Sequence, residues 1–218
     1  MPRIIEVLLS ILALLVLLPL FIPIVAILLL TGENKVFYSQ TRVGYKNQNF
    51  KILKFATMLS NSANMGTGSL TLKNDPRVLP FGSFLRKTKI NELPQILNIL
   101  IGDLSIVGPR PQMQVDFEKY SDEVQRKIYN VRPGLTGIGS IVFRDEESLI
   151  SVASEKENPH YFYKRVIAPY KGKLEIWYQK KRSLILDFQL IFITAWAIVV
   201  PETRLYEKWF HDLPKRNF

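Results

Sequence analysis

The 218-residue chain contains no cysteine and only two histidines. It therefore has no disulfide framework, no thiolate nucleophile and no Cys/His zinc site, and the lack of cysteine is compatible with a reducing compartment. Acidic residues are in deficit: 19 Asp and Glu stand against 29 Lys and Arg, a formal net charge of +10. That excess points to anionic partners, whether nucleic acid, a lipid surface or phosphorylated substrates, and composition does not choose among them. With 47% hydrophobic residues, the chain holds one modest domain plus membrane-seeking segments, and a second full domain would not fit.

Charge is wholly absent from Val7 to Leu30. At about 1.5 Å per residue, a helix of that length crosses a hydrocarbon core of roughly 30 Å. The run is too long for the apolar part of a cleaved signal peptide, and no small-x-small site precedes Thr31-Gly32-Glu33. Pro19 and Pro23 fall inside it, where each removes a backbone hydrogen bond and favours a bend. A kinked helix that enters and leaves on one face thus stands beside a single span. Lys35, Arg42, Lys46, Lys51 and Lys54 follow closely and place the body on the cytoplasmic side.

Alternation in Val36–Met58 around Gly44-Tyr-Lys-Asn-Gln-Asn49 predicts a pair of short strands. Asn61–Leu72, rich in Ser, Asn, Gly and Thr, reads as a flexible loop, and Asp75 before Pro76 as a turn former. The chain is organised around the stretch from Phe84 to Pro111. Leu93, Ile96, Leu97, Leu100 and Ile101 share a helical face closed by Gly102. Pro94 belongs in a first turn, so Asn91 is the expected cap, with Glu92 at the positive helix end. Arg86, Lys87 and Lys89 lie upstream, and Arg110 is held between two prolines downstream. Such a layout suits a phosphate or diphosphate, although capped helices with basic flanks are common.

Downstream, Gln112–Tyr129 reads as one or two short surface helices, and Ile138–Arg144 as a strand. Asp145-Glu146-Glu147 suits a helix cap better than a metal. The interleaved aromatics and cations of Pro159–Tyr178 fit a membrane interface or nucleic-acid stacking, and the N-terminal run favours the membrane. His160 has no neighbouring ligand set. Leu184–Val200 carries Asp187 and Gln189 and is too short to span; it reads as an interfacial or core-packed helix, with Trp177 and Trp196 as anchors at headgroup level. Glu202–Phe218 carries no readable role.

Leu85-Arg86, Glu92-Leu-Pro-Gln95, Gly102-Asp-Leu-Ser105, Gly108-Pro-Arg-Pro111 and Arg132-Pro-Gly-Leu-Thr-Gly137 follow one another in an order that resembles the bacterial sugar transferases, the monotopic phosphoglycosyl transferases. The resemblance implies an α+β fold: a small mixed cytoplasmic domain anchored by an N-terminal kinked, re-entrant membrane helix, with interfacial amphipathic helices. On that reading residues 1–32 are the anchor, 33–200 the transferase domain and 201–218 a tail. The implied activity moves a sugar 1-phosphate from a nucleotide diphosphate sugar to a polyprenol phosphate at the bacterial inner membrane, with Mg2+, and starts surface glycan assembly. Homo-oligomerisation is a further possibility. Carried over by position, Glu92 and Asn91 are the catalytic pair, Arg86, Arg110, Lys54, Arg42 and Arg132 bind substrate, and Glu92 and Asp103 hold the metal.

Three positions depart from the pattern. Asn91 stands where the family has the aspartate thought to attack phosphorus, Ala56 where an arginine is usual, and Leu18 where a serine precedes the proline. An amide is a poor nucleophile, while as a helix cap Asn equals Asp. Three readings follow: Glu92 takes over the chemistry, the polyprenol phosphate attacks directly, or the chain is an inactive binder or scaffold in glycan assembly.

Overall fold

The computed structural model describes residues 1–218. The apolar run lies within helix α1 (Arg3–Leu30), which stays helical through Pro19 and Pro23 and is about 42 Å long at 1.5 Å per residue. Leu8, Leu12, Leu15, Val16, Leu18 and Ile22 are each more than half exposed, whereas Glu6, Ser10, Ile24 and Leu28 are buried. α1 thus shows an apolar face outward along its length and a narrow stripe to the body. Both of its ends touch that body. Arg3 donates to the carbonyls of Ile99 and Leu100, and Glu6 accepts the Ile106 N–H at 3.3 Å; Ile24 and Leu28 pack with Phe55 and Leu85.

The expected strand pair is present. β1 (Phe37–Val43) and β2 (Asn49–Phe55) run antiparallel, with Tyr38 opposite Lys54 and Phe37 opposite Phe55. The segment 61–72, expected to be flexible, is instead organised by one buried side chain. Arg77 donates to the carbonyls of Ser62, Met65, Gly68 and Leu70 and pairs with Asp75 at 2.6 Å. A guanidinium with five fixed donors satisfies a set of loop carbonyls that no regular element could reach.

Helix α2 (Pro80–Lys87) begins on a proline, which costs it no needed N–H. Lys89, at φ 60°, turns the chain into a single 3-10 turn, Ile90–Glu92, before α3 (Gln95–Ile101), which ends on Gly102 at φ 101° as expected. Asn91 does not cap α3: Pro94 takes the capping position, so the helix starts later and Asn91 is wound into the preceding turn. α3 has only seven residues, too short for its dipole to serve as the anion site. The cations around it must carry that role.

After β3 (Ser105–Val107) come the short helices α4 (Gln114–Phe117) and α5 (Asp122–Lys127), as expected, and then β4 (Gly134–Thr136), parallel to β3. A Cβ on Gly134 would lie 2.1 Å from the Gly108 nitrogen, and one on Gly137 2.1 Å from the Gly108 oxygen. The two glycine-bearing motifs are therefore a backbone-to-backbone contact that fixes the base of the Arg110 loop.

Ile138–Arg144, expected as a strand, contains helix α6 (Ile138–Val142) instead. As a helix it buries Ile138, Ile141 and Val142 near α9 and α10, so packing overrides β propensity. α7 (Glu146–Ser154) and α8 (Pro159–Phe162) lead through a π-type turn into α9 (Ala168–Lys181), then α10 (Leu184–Val199) and α11 (Leu205–Trp209). Most of the aromatics expected at an interface are core residues: Tyr163, Tyr170, Trp177 and Tyr178 are buried and Trp177 packs on Phe210, while Tyr161 stays exposed. Asp145, Glu146 and Glu147 begin α7 without capping it and pair with Arg216, Lys171 and Arg86. Residues 201–218 dock on the same core through Phe210 and Leu213.

Candidate active site

A cleft of about 1090 Å³ opens between the β1–β2 hairpin, α2, the 90–92 turn and the Arg110 loop. Its centre is an ion pair. Arg110 donates from Nη2 to Glu92 Oε1 at 2.7 Å and from Nη1 to Oε2 at 3.4 Å, a forked contact between two half-buried groups. The backbone beneath is rigid, since Tyr129 donates its hydroxyl to the Arg110 carbonyl at 2.9 Å and accepts the Gln112 N–H.

More cations surround the pair. Arg86, in the last turn of α2, pairs with Glu147 at 2.6 Å. Arg42, on β1, donates to Gln40 Oε1 at 2.5 Å and to the Pro111 carbonyl at 3.4 Å. Lys54, on β2, has neither an ion pair nor a hydrogen bond through its ammonium. Burial pushes Lys54 down to about 7 against the pull of Glu92, and Arg42, Arg110 and Arg86 push it the same way as burial. Burial also lowers Lys89. For Glu92, burial raises the carboxyl, yet Arg110, Lys54 and Lys89 outweigh it and hold Glu92 well below the usual carboxylate range. The site contains a fixed anion, several cations and one lysine poised near neutrality.

Asn91 is 5% exposed and lines the cleft, with its amide oxygen buried and unpartnered. It is one of nine buried side-chain polar atoms in the chain that lack a hydrogen-bond partner, and a buried carbonyl oxygen of this kind can accept from a donor or a cation. The cleft thus gathers Glu92, Asn91, Arg86, Arg110, Lys54 and Arg42. It does not gather Arg132 or Asp103. Arg132 is exposed, donates to the Gly102 carbonyl at 2.9 Å and lies over the Tyr45 ring; Asp103, past the far end of α3, sits against Asn98.

The model of the family described as bacterial sugar transferase matches residues 1–201. The chain belongs to the bacterial sugar transferase family. It is 38% identical over 157 residues to the exopolysaccharide production protein ExoY of Sinorhizobium fredii, covering 66% of this chain and 69% of that one. Against the UDP-glucose:undecaprenyl-phosphate glucose-1-phosphate transferase of Xanthomonas campestris it is 33% identical over 199 residues, 89% of this chain but 38% of that longer protein. The undecaprenyl-phosphate galactose phosphotransferase of Salmonella typhimurium is 31% identical over 176 residues, 74% of this chain and 33% of its own length.

Within this sugar transferase, sequence reasoning missed the layer under the cleft. Lys171 is buried and pairs with Glu146 at 2.5 Å, and both line the cleft. Glu175, one turn on, is raised by burial to about 8 despite Lys171 and Arg110. The signal was the Lys171–Glu175 spacing of four within an otherwise core-facing helix, hidden because the surrounding aromatics read as interfacial.

Proposed function

We propose that the chain transfers a sugar 1-phosphate from a nucleotide diphosphate sugar to a polyprenyl phosphate, releasing the nucleoside monophosphate and beginning a surface polysaccharide. One observation carries this reading. A cleft lined by Arg42, Lys54, Arg86 and Arg110 sits on the same body whose α1 and α10 show outward apolar faces, so an anionic soluble donor and a lipid acceptor reach one place. The relatives whose names specify undecaprenyl phosphate support that acceptor.

In the proposed step a phosphate oxygen of the lipid forms a bond to the sugar-bearing phosphorus while the bond from that phosphorus to the nucleoside monophosphate oxygen breaks. Arg110, Arg86 and Lys54 face the charge that builds on the transferring group. Glu92, ionised and forked by Arg110, is a weak base and weak nucleophile; its Oε1 holds Arg110 at 2.7 Å, while Oε2, at 3.4 Å from Nη1, is the oxygen it can offer a cation. Asn91 offers no carboxylate, so attack by the lipid phosphate without a covalent enzyme stage fits these residues best. Magnesium takes hard oxygens and keeps several waters, and Glu92 with the unpartnered Asn91 oxygen fits it, whereas no cluster of three or more acidic or histidine side chains exists. Bound there, the ion would neutralise diphosphate charge. The proposed setting is the cytoplasmic face of the inner membrane, with α1 bent into one leaflet so that both its ends rejoin the body.

The test incubates membrane-inserted protein with nucleotide diphosphate sugars, magnesium and polyprenyl phosphate and follows nucleoside monophosphate. The expected result is release by wild type, loss of at least about a hundredfold in Glu92→Gln, and no phosphosugar adduct on protein given donor alone. Silence from every donor with wild type, cured by Asn91→Asp, would instead make the natural chain a binder. That second reading rests on Asn91 alone.

A further inference from the structure

Beside the basic cleft lies a second, smaller pocket of about 260 Å³, walled chiefly by Leu28, Phe37, Ala56, Leu79, Pro80 and Phe81. It lies at the C-terminal end of α1, where that helix leaves its apolar stretch, and Phe37 at its mouth is half exposed. Its polar groups answer one another: Ser60 donates to Glu33, and Lys35 donates to Ser60 at 2.7 Å. The remaining wall is hydrocarbon and aromatic.

Tyr38, Met58, Leu79 and Pro80 belong to the walls of both cavities. At that seam Arg86 Nη1 reaches Met58 Sδ at 3.7 Å, and Tyr38 lies opposite Lys54 in the hairpin register. An apolar chain leaving the pocket across Met58 therefore meets two cations within one side chain's reach.

We propose that this pocket seats the first isoprene units of the polyprenyl phosphate, with the phosphate carried over the Met58 seam to Arg86 and Lys54. The inference rests on the transfer reading above and adds to it the acceptor's binding place. Charge complementarity argues for this occupant: an anion joined directly to a single methyl-branched apolar chain matches a mainly apolar pocket opening onto cations, whereas a phospholipid carries its phosphate a glycerol away from its acyl chains.

The test uses a short prenyl phosphate carrying a diazirine on its second isoprene unit, irradiated with the full-length protein in phosphatidylglycerol nanodiscs and mapped by peptide mass. Adducts are expected on the peptides bearing Phe37, Ala56 or Leu79–Phe81, displaced by excess undecaprenyl phosphate but not by added phosphatidylglycerol. Ala56→Phe, which fills the pocket, is expected to cut labelling and raise the KM for polyprenyl phosphate about tenfold with the KM for the nucleotide sugar unchanged. Should Ala56→Phe fail to fold, wild-type labelling and Ala56→Val decide. Labels confined to mid-α1 and α10, or displaced equally by phosphatidylglycerol, would overturn the assignment. Failure of every donor to turn over, with labelling as expected, would overturn the transfer reading and leave the pocket standing.

Discussion

Lys54 sits near 7 because burial outweighs the attraction of Glu92, so its charge is half-formed at neutral pH. A diphosphate in the cleft favours the charged form. Below pH 7 that form already exists and binding needs no proton; above it, binding must draw one from solution. Donor affinity is therefore expected to fall as pH rises from 7 towards the ordinary lysine range, with proton uptake near pH 8. Calorimetry in buffers of different ionisation enthalpy would measure that uptake, and Lys54→Met should abolish it. The same physics limited what the residues alone disclosed. Arg86 and Arg110 were legible as cations flanking a helix start, and Lys54 and Arg42 only through the resemblance, while the Glu92–Arg110 fork depends on a fold in which positions 18 apart meet. Asn91 is of a type that favours caps, but Pro94 takes that place in α3.

Elements whose signal is local were legible: α1 from its uncharged run, the hairpin from alternation, and the end of α3 from Gly102. Those decided by distant partners were not. α6 has strand-like composition but packs as a helix against α9 and α10, and α9 has interfacial composition but lies in the core. Segment 61–72 is the clearest case, since four of its carbonyls meet on Arg77, five residues beyond its end, and Leu70 is buried in the core. Arg77→Met would leave Asp75 and four carbonyls without their donor, at a cost of roughly 3–5 kcal/mol for breaking a buried pair. The expected outcome is new proteolytic cleavage between 61 and 72 and a lower Tm; an intact loop in that variant would mean the segment is held by other contacts.

At the scale of the whole molecule, α1, α10 and the exposed Ile101 give the body an apolar side, and the Arg110 cleft lies against it. The shallow immersion proposed for α1 draws on the contact of both its ends with one body. On that proposal a lipid phosphate would reach Arg86 and Arg110 without lifting its tail from the bilayer. The most direct measurement follows a labelled sugar phosphate from water-soluble donor into the lipid phase of protein-containing nanodiscs loaded with polyprenyl phosphate. Label is expected in the lipid with wild type and in none with Arg110→Gln; label that stays in water for wild type with every donor, or that moves equally well without Arg110, would contradict the account.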